Sequence, residues 1–457
     1  MLMKKFKMVI IGGASMAWTP KLVNDCLLIK DLEETEIVLV DIDTEKLPVI
    51  KTIVEKLAAT KNQPVRFTTC VDYRDALPGA DIVLTTCLIG GHAAWRDDLN
   101  IALRYGIEHP KGMSVGPGGL IQGLKNAAAI VDIAKDMERL CPQAWLLNYT
   151  NPMQTISLAL AKYSSIRSMG LCHGVTECIT WISEQLGIPE AELNYRAFGI
   201  NHCGWLFSLK MGNQDLMPIL REVIDRTMPL EKERWEGQEI ATREMWDLFG
   251  AFPMQADIHT IEFFYHYYNR NRKLADYSLQ HNYVEKRMQK KNEQWEKMQK
   301  IARGELPLKT CLELTTAAHT QFDKNRDLNL VSKEKIDKLV QAIIGNRETI
   351  LYVNTLNNGC IPNLPDDCCV EIPTRINSAG FDPCYMGPLP DGIAGLMNVH
   401  AYVQKLTVEA AMKGDRQLAL QALYLDPITS EMSMNELGRL LDDLLEANKV
   451  WLPRFYR

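Results

Sequence analysis

The chain has 457 residues, 51 Lys and Arg against 57 Asp and Glu, a net charge of −6 and 46% hydrophobic residues. It contains no run of about 18 apolar residues, so no membrane span or signal peptide is expected, and a mildly acidic balance without a basic cluster argues against nucleic acid as a partner. Twelve scattered cysteines fit the reduced thiols of a cytoplasmic protein, because disulfide frameworks are dense and belong to small secreted chains.

Short apolar runs at Lys7–Ile11, Glu36–Val40, Val65–Cys70 and Ile82–Leu88 alternate with helical stretches at Pro20–Leu28 and Leu47–Ala59, which is a βαβ rhythm. Runs such as IVLV and DIVLTTC are unbroken, as strands buried on both faces require, and an α/β doubly wound parallel sheet of the Rossmann type is expected. A helix over Leu124–Leu140 would cover one face, and further strands fit Trp145–Asn148 and Arg167–Cys172. From Tyr195 the pattern changes to a strand at Trp205–Lys210, charged helix-rich sequence over Pro229–Lys309, strand and loop character over Thr349–Leu389 and a helical C-terminus. No linker separates the halves, so they are expected to pack closely around a shared cleft.

The segment MVIIGGAS runs from a buried strand into a glycine turn at Gly12–Gly13, with a helix expected to start near Thr19–Pro20. Such a turn lets a dinucleotide pyrophosphate approach the backbone, and the helix start supplies N–H donors and a favourable dipole. The next strand ends at Asp41, where a carboxylate would accept from ribose hydroxyls and repel a 2′-phosphate, favouring NAD over NADP. Ser15 and Asn148 complete the candidate cofactor contacts. Ala14 stands where a second phosphate-facing glycine is expected.

Three blocks place polar residues just after apolar runs: LNYTNPM at Leu147–Met153, GLCHG at Gly170–Gly174 and GINHCGW at Gly199–Trp205. In an open α/β sheet, ligands bind beyond the carboxyl ends of the strands, where Asn151, Cys172 and His173 would fall, with His202 joining from the next domain. A thiolate and an imidazole make a plausible metal pair that leaves positions open for substrate oxygens; taken singly, a cysteine or histidine is more often an ordinary core residue.

With these blocks in place, the chain resembles the NAD- and manganese-dependent glycosidases of glycoside hydrolase family four. The glycine turn, DID at Asp41–Asp43, GPGG at Gly116–Gly119, NYTNP, CHG, GINH and the late VNTLNNG, PNLP and VEIP segments follow the family's order nearly end to end. The resemblance implies that Cys172 and His202 hold a divalent metal such as Mn2+, that Asn151, His173 and Arg96 contact the sugar and that Asp41 binds ribose. It implies a Rossmann domain for NAD over residues 1–195 and a metal- and substrate-binding α+β domain over 196–457, an architecture like that of lactate and malate dehydrogenases. It also implies a homodimer or homotetramer, for which long helices at Glu231–Gln299 and Met432–Asn448 would supply an interface. The CHG form looks like members acting on non-phosphorylated sugars, so a hexoside or a uronide is expected.

Most glycosidases use two carboxylates, and this family is an exception. The resemblance implies transient oxidation at C3 by NAD, removal of the C2 proton, elimination of the C1 substituent, water addition and return of the hydride. A tyrosine serves as base in some members. Tyr265, in the run EFFYHYY, is the first candidate, followed by Tyr267 and Tyr268, while Asp257, His259 and Glu262 are candidates to support the metal or base. Many relatives carry an acid three positions before GPGG to protonate the leaving group, but here that position is Met113. His109 or Lys111 would have to substitute, or Lys111 would recognise an anionic substituent such as a uronate. The alternatives are an NAD-dependent dehydrogenase of a sugar or hydroxy acid and a nucleotide-sensing binding protein.

Overall fold

In the computed structural model, all residues are described except 1–4, 31, 33, 228–239, 256, 268–273, 275–280, 282 and 315–326. The apolar runs of the first half become the parallel strands β1 (Lys7–Ile11), β2 (Thr35–Val40), β3 (Val65–Cys70), β4 (Ile82–Thr85), β5 (Trp145–Asn148) and β6 (Arg167–Gly170). Their order is β3-β2-β1-β4-β5-β6, which is the Rossmann order and reverses between β1 and β4, opening a crevice at their carboxyl ends. Side chains alternate across the sheet. Met8, Ile10, Ile37 and Leu39 pack with Leu22 and Ile53 of the helices Thr19–Leu27 and Lys46–Thr60. Val9, Ile11, Val38 and Val83 pack on the opposite face with Ile130, Val131 and Ile156 of the helices Gly116–Leu140 and Met153–Tyr163.

The second half supplies β7 (Leu193–Ile200), β8 (Cys203–Met211), β9 (Gln214–Asp215), β10 (Phe252–Pro253), β11 (Thr349–Leu356), β12 (Cys369–Asn377) and β13 (Gly380–Pro383). These continue the same sheet past β6 in the order β11-β12-β7-β8-β10, all antiparallel. One narrow junction joins the halves within the sheet, Asn354 opposite Gly170, and a second, Glu371 opposite Gly199, joins β12 to β7 within the second half. Gly170 has to be glycine here, because a Cβ would lie 2.5 Å from Ser157 Oγ and 2.9 Å from Asn354 Cβ.

Several boundaries differ from the sequence reading. The strands expected to reach Leu88 and Cys172 stop at Thr85 and Gly170, so the residues that follow are free to form loops at the crevice. The helix expected from Leu124 starts at Gly116, with GPGG as its first turn. Arg96 lies on the helix Gly91–Arg104, whose buried Trp95, Leu99 and Ala102 recur at helical spacing. The sequence expected to form long helices over Glu231–Gln299 contains Ile240–Phe249, β10 and Tyr283–Arg303 as separate elements. The C-terminal helix Met434–Ala447 is started by a capping box from Ser433 and Glu436. Among the described residues no helix is long and apolar enough to cross a membrane.

Candidate active site

At the crevice, the turn after β1 closes on its neighbours. Gly12 and Gly13 donate to Val40 O, and Ala14 N–H donates to Asp41 Oδ2 at 3.0 Å. Gly12 has a φ of +96° and lies so close to the chain after β4 that a Cβ would stand 2.6 Å from Thr86 Oγ1. A glycine with this conformation and this clearance is what a backbone cradle for a phosphate requires. Asp41 also accepts from Asp43 N–H, and a carboxylate with two such bonds retains lone pairs for ribose hydroxyls. The residues present therefore fit a dinucleotide. Ser15 Oγ accepts from Trp18 N–H and starts the helix Thr19–Leu27. Asn148 is fully buried and orders the loop after β5, accepting from Thr85 Oγ1 and Thr150 N–H and donating to Thr150 O.

The narrow strand junctions assemble the other end of the crevice. Cys172 follows β6, Asn201 and His202 form the turn between β7 and β8, and Asn354 and Glu371 face each other across β11 and β12. His202 has a φ of +64°, a conformation that costs a non-glycine residue about 1–3 kcal/mol and concentrates at functional sites. Its Nδ1 lies 2.9 Å from Ser114 Oγ, which leaves Nε2 as the donor atom. Burial, with Lys111 and His173 nearby, holds His202 down to about 3, so the ring is neutral as a metal ligand must be. Burial and then Glu371 push the Cys172 thiol up, against the Gly174 N–H and Asn201, which favour the thiolate. A bound divalent cation would reverse that balance. Glu371 is itself raised to about 7 by burial, while Asn201 and Asn354 pull it the other way. Asn201 Oδ1 and Asn354 Oδ1 are buried without hydrogen-bond partners. One soft and one borderline donor beside unsatisfied amide oxygens fit a divalent metal held by two protein ligands with positions left open.

His173 sits in an ionic cage. Its Nδ1 is 3.1 Å from Glu334 Oε1 and its Nε2 3.3 Å from Glu177 Oε2, while Lys21 Nζ reaches Glu334 Oε1 at 2.6 Å and lies 4.3 Å above the Trp18 ring. Burial opposes protonation of His173, but Glu334 and Glu177 outweigh it and raise the imidazole to about 10. Asn151 precedes a cis bond to Pro152, and its Oδ1 accepts from Met153 N–H.

The loop before GPGG is organised by Glu262, which accepts from the N–H groups of Lys111 and Gly112 and lies 3.7 Å from His109 Nδ1. His109 is fully buried, its Nε2 accepting from Gly118 N–H. Lys111 extends to His259 Nε2 at 2.5 Å, and the His259 and His202 rings lie 4.2 Å apart. Met113 packs on Trp95, Leu99 and Val284, so the position three residues before GPGG is part of an apolar cluster.

The remaining candidates are spread out. Asp257 caps the preceding helix Ile240–Phe249, accepting from the N–H groups of Ala241 and Thr242. Arg96 is on the surface and pairs with Asp97. Tyr265 and Tyr267 line a cavity of about 490 Å3 with Phe249, Phe264 and Leu396, and neither Cys172, His202, Asn151 nor His173 borders it. Tyr268 lies outside the described residues. Among residues not singled out from sequence, Ser114 and Glu334 reach the site from remote segments, whereas Asn201, Asn354 and Glu371 fall inside the GINH, VNTLNNG and VEIP blocks.

Comparison with known proteins matches both halves. The family model described as family 4 glycosyl hydrolase covers residues 7–188, and that described as family 4 glycosyl hydrolase C-terminal domain covers residues 197–429. The chain is 31% identical to the alpha-galactosidase of Bacillus subtilis (strain 168) over 454 residues, which is 98% of this chain and 99% of that one. It is 26% identical to the alpha-galacturonidase of Thermoanaerobacter italicus over 463 residues, covering 98% and 97% of the two chains. The crystal structure of lplD from Bacillus subtilis superposes with a TM-score of 0.83 at 26% identity, covering 96% and 100%. A 6-phospho-alpha-glucosidase from gut microorganisms, in complex with NAD and Mn2+, has the same fold at 23% identity and a TM-score of 0.78, covering 98% and 99%. The doubly wound sheet and the glycine turn closed on Asp41 thus occur in a chain that belongs, over nearly its whole length, to the family 4 glycosyl hydrolases.

Proposed function

We propose that this chain is an NAD- and divalent-metal-dependent glycosidase that cleaves a non-phosphorylated glycoside, a hexoside or a uronide. The observation that carries this reading is Asp41 closed on the glycine turn at the crevice, with Cys172 following β6 and a neutral His202 in the turn between β7 and β8. When bound, the dinucleotide removes and returns a hydride at C3 of the sugar, and the metal polarises the oxygens on C2 and C3.

The chain's own residues supply the rest. Residues 1–195 carry the nucleotide, and 196–457 close the site around the sugar. Cys172 and His202 hold the metal, and Ser114 fixes the His202 ring through Nδ1. His173, held in its cage by Glu334 and Glu177, presents a cationic ring, and with Asn151 it binds the sugar. Arg96 is assigned to the sugar's outer side. The removal of the C2 proton is assigned to Tyr265, which would have to reach the sugar from the separate cavity it lines with Phe264. In place of the acid lost at Met113, Lys111 protonates the leaving group or pairs with a uronate; it is the cation that reaches His259 beside His202. His109, bonded to Gly118, holds the loop that carries Lys111. All twelve cysteines are free thiols, which supports a reducing, cytoplasmic setting, and a homodimer or homotetramer is proposed by analogy with the family.

The test is an assay of the purified protein over neutral, uronic and 6-phosphorylated glycosides with NAD+, Mn2+ and a thiol reductant. Release of free sugar from a neutral or uronic glycoside, dependent on both additions, is the expected result. Cleavage of 6-phosphorylated substrates alone would refute the substrate class. Accumulation of NADH without cleavage would favour a dehydrogenase.

A further inference from the structure

The helix Tyr283–Arg303 crosses the mouth of the crevice, packing on the helix after β2 (Lys46–Thr60) and on the helix after β4 (Gly91–Arg104). A spacing of four places Tyr283, Arg287, Lys291 and Trp295 on one stripe. The Trp295 ring meets Lys46 Nζ at 5.5 Å, beside Asp43. Lys291 Nζ lies 3.3 Å from His92 Nδ1. Arg287 Nε lies 3.3 Å from His92 Nε2, with its Nη1 3.1 Å from Tyr283 Oη. Tyr283 packs edge-on against Trp95 and carries Lys111 Nζ 5.0 Å from its ring centre. The stripe therefore runs from the ribose acid at the end of β2 to the lysine beside His259 and His202.

Charge does not close along this stripe. Neither Arg287 nor Lys291 has a carboxylate within ion-pair distance among the described residues, and both approach His92. A neutral imidazole offers one lone pair, so it can accept from only one of the two cations. Burial, then Lys291 and Arg287, hold His92 down to about 3, and burial with Lys46 and Arg287 keeps the Lys291 ammonium below its usual range. The buried Lys21 and Lys125 are paired with Glu334 and Asp98, whereas Arg287 is exposed and Lys291 half-buried. Two adjacent cations that share one imidazole, with Asp43 and Asp41 acting on Lys291 only from beyond ion-pair distance, form a place for an anion.

We propose that Arg287 and Lys291, spaced by His92, form a clamp for the diphosphate of the dinucleotide. The clamp rests on the reading of the chain as dinucleotide-dependent. A guanidinium fork and a lysine point charge suit two adjacent phosphoryl groups, and the clamp lies midway between the ribose and sugar ends. It also accounts for the tolerance of Ala14 in the glycine turn, since part of the phosphate binding comes from the opposite wall.

The experiment titrates the purified full chain, without metal, with NAD+, ADP-ribose, adenosine and 2′-AMP by calorimetry. It compares wild type with Arg287→Met, Lys291→Met and the double variant, whose melting temperatures report folding. Each single variant is expected to weaken NAD+ and ADP-ribose by about 10-fold and to flatten their salt dependence, with adenosine unchanged, and Lys291→Arg is expected to retain binding. An NAD+ affinity within twofold of wild type in the folded double variant would overturn the clamp while leaving the glycosidase reading intact. Selective loss of 2′-AMP, or a loss confined to KM for a uronide, would also overturn it by placing the anion elsewhere. Failure of the wild type to bind either NAD+ or ADP-ribose would remove the dinucleotide reading and the clamp together.

Discussion

Two ionic clusters adjoin the helix Gly91–Arg104 and have opposite characters. On its inner side Asp98, which is 1% exposed, accepts from Lys125 Nζ at 2.8 Å, Gln122 Nε2 at 3.0 Å and Asn448 Nδ2 at 2.6 Å, and Lys125 also donates to Asn448 Oδ1. Acid and base are matched there, and the cluster ties two helices of the nucleotide half to the C-terminal segment. At its amino end His92 meets Arg287 and Lys291, which have no carboxylate within ion-pair distance among the described residues. Balanced buried charge works as scaffold, whereas unbalanced charge at a crevice works as a receptor. The same contrast separates His173, enclosed by Glu334 and Glu177, from the turn at Cys172 and His202, where amide oxygens remain unpartnered.

The sharpest way to break the closed cluster is Lys125→Met, which leaves Asp98 buried without its cation. Denaturant unfolding should show a loss of about 3–5 kcal/mol, mostly recovered in the Lys125→Met/Asp98→Leu double variant. If the single variant keeps wild-type stability, the cluster is not scaffold. At the open site, Cys172→Ser should lower Mn2+ affinity and turnover by more than the roughly 10–100-fold expected for Ser114→Ala, which removes only the hydroxyl behind His202. NAD+ binding, measured by calorimetry, should survive in both.

A smaller effect tests the solvent-facing pairs. Burial opposes ionisation of Glu409, but Lys162, Lys413 and the Tyr163 hydroxyl outweigh it and hold the carboxyl at about 2. A depressed folded-state value means that the pairing stabilises the fold above the unfolded carboxyl range and is lost as pH falls toward 2. Glu409→Gln should therefore narrow the difference in melting temperature between pH 5 and pH 3. The smallest change expected is for Arg96→Ala, within about 0.5 kcal/mol of wild type, because an exposed pair with its neighbour Asp97 contributes little. A measurable rise in KM in that variant would mark the sugar contact assigned to it.

The nucleotide half was legible because its signals are local: unbroken apolar runs, a glycine turn and an acid at a strand end. The places of Cys172 and His202 just past strand ends were legible for a related reason, since the apolar runs before them are local signals too. What sequence could not provide was the partner of each carboxylate. Asp257 and Glu262 share one short acidic stretch, yet the first caps a helix and the second holds the loop at Lys111. Glu334 reaches His173 from a segment far along the chain without a motif to announce it. The helix carrying Arg96 starts at Gly91 after Gly90 at a φ of +80°, with no capping side chain to mark its start in the sequence. Arg287 and Lys291 looked like ordinary solvated helix charges, and only the placement of His92 between them gives them a role.

The measurement that bears most directly on the whole reading is turnover of the cleaved glycoside in deuterated water with NAD+ in catalytic amount. Deuterium at C2 of the released sugar, with no net NADH, is the expected result, because the C2 proton must leave during elimination and be replaced from solvent. Released sugar with protium retained at C2 would contradict the oxidation and elimination route and require direct displacement at C1 instead.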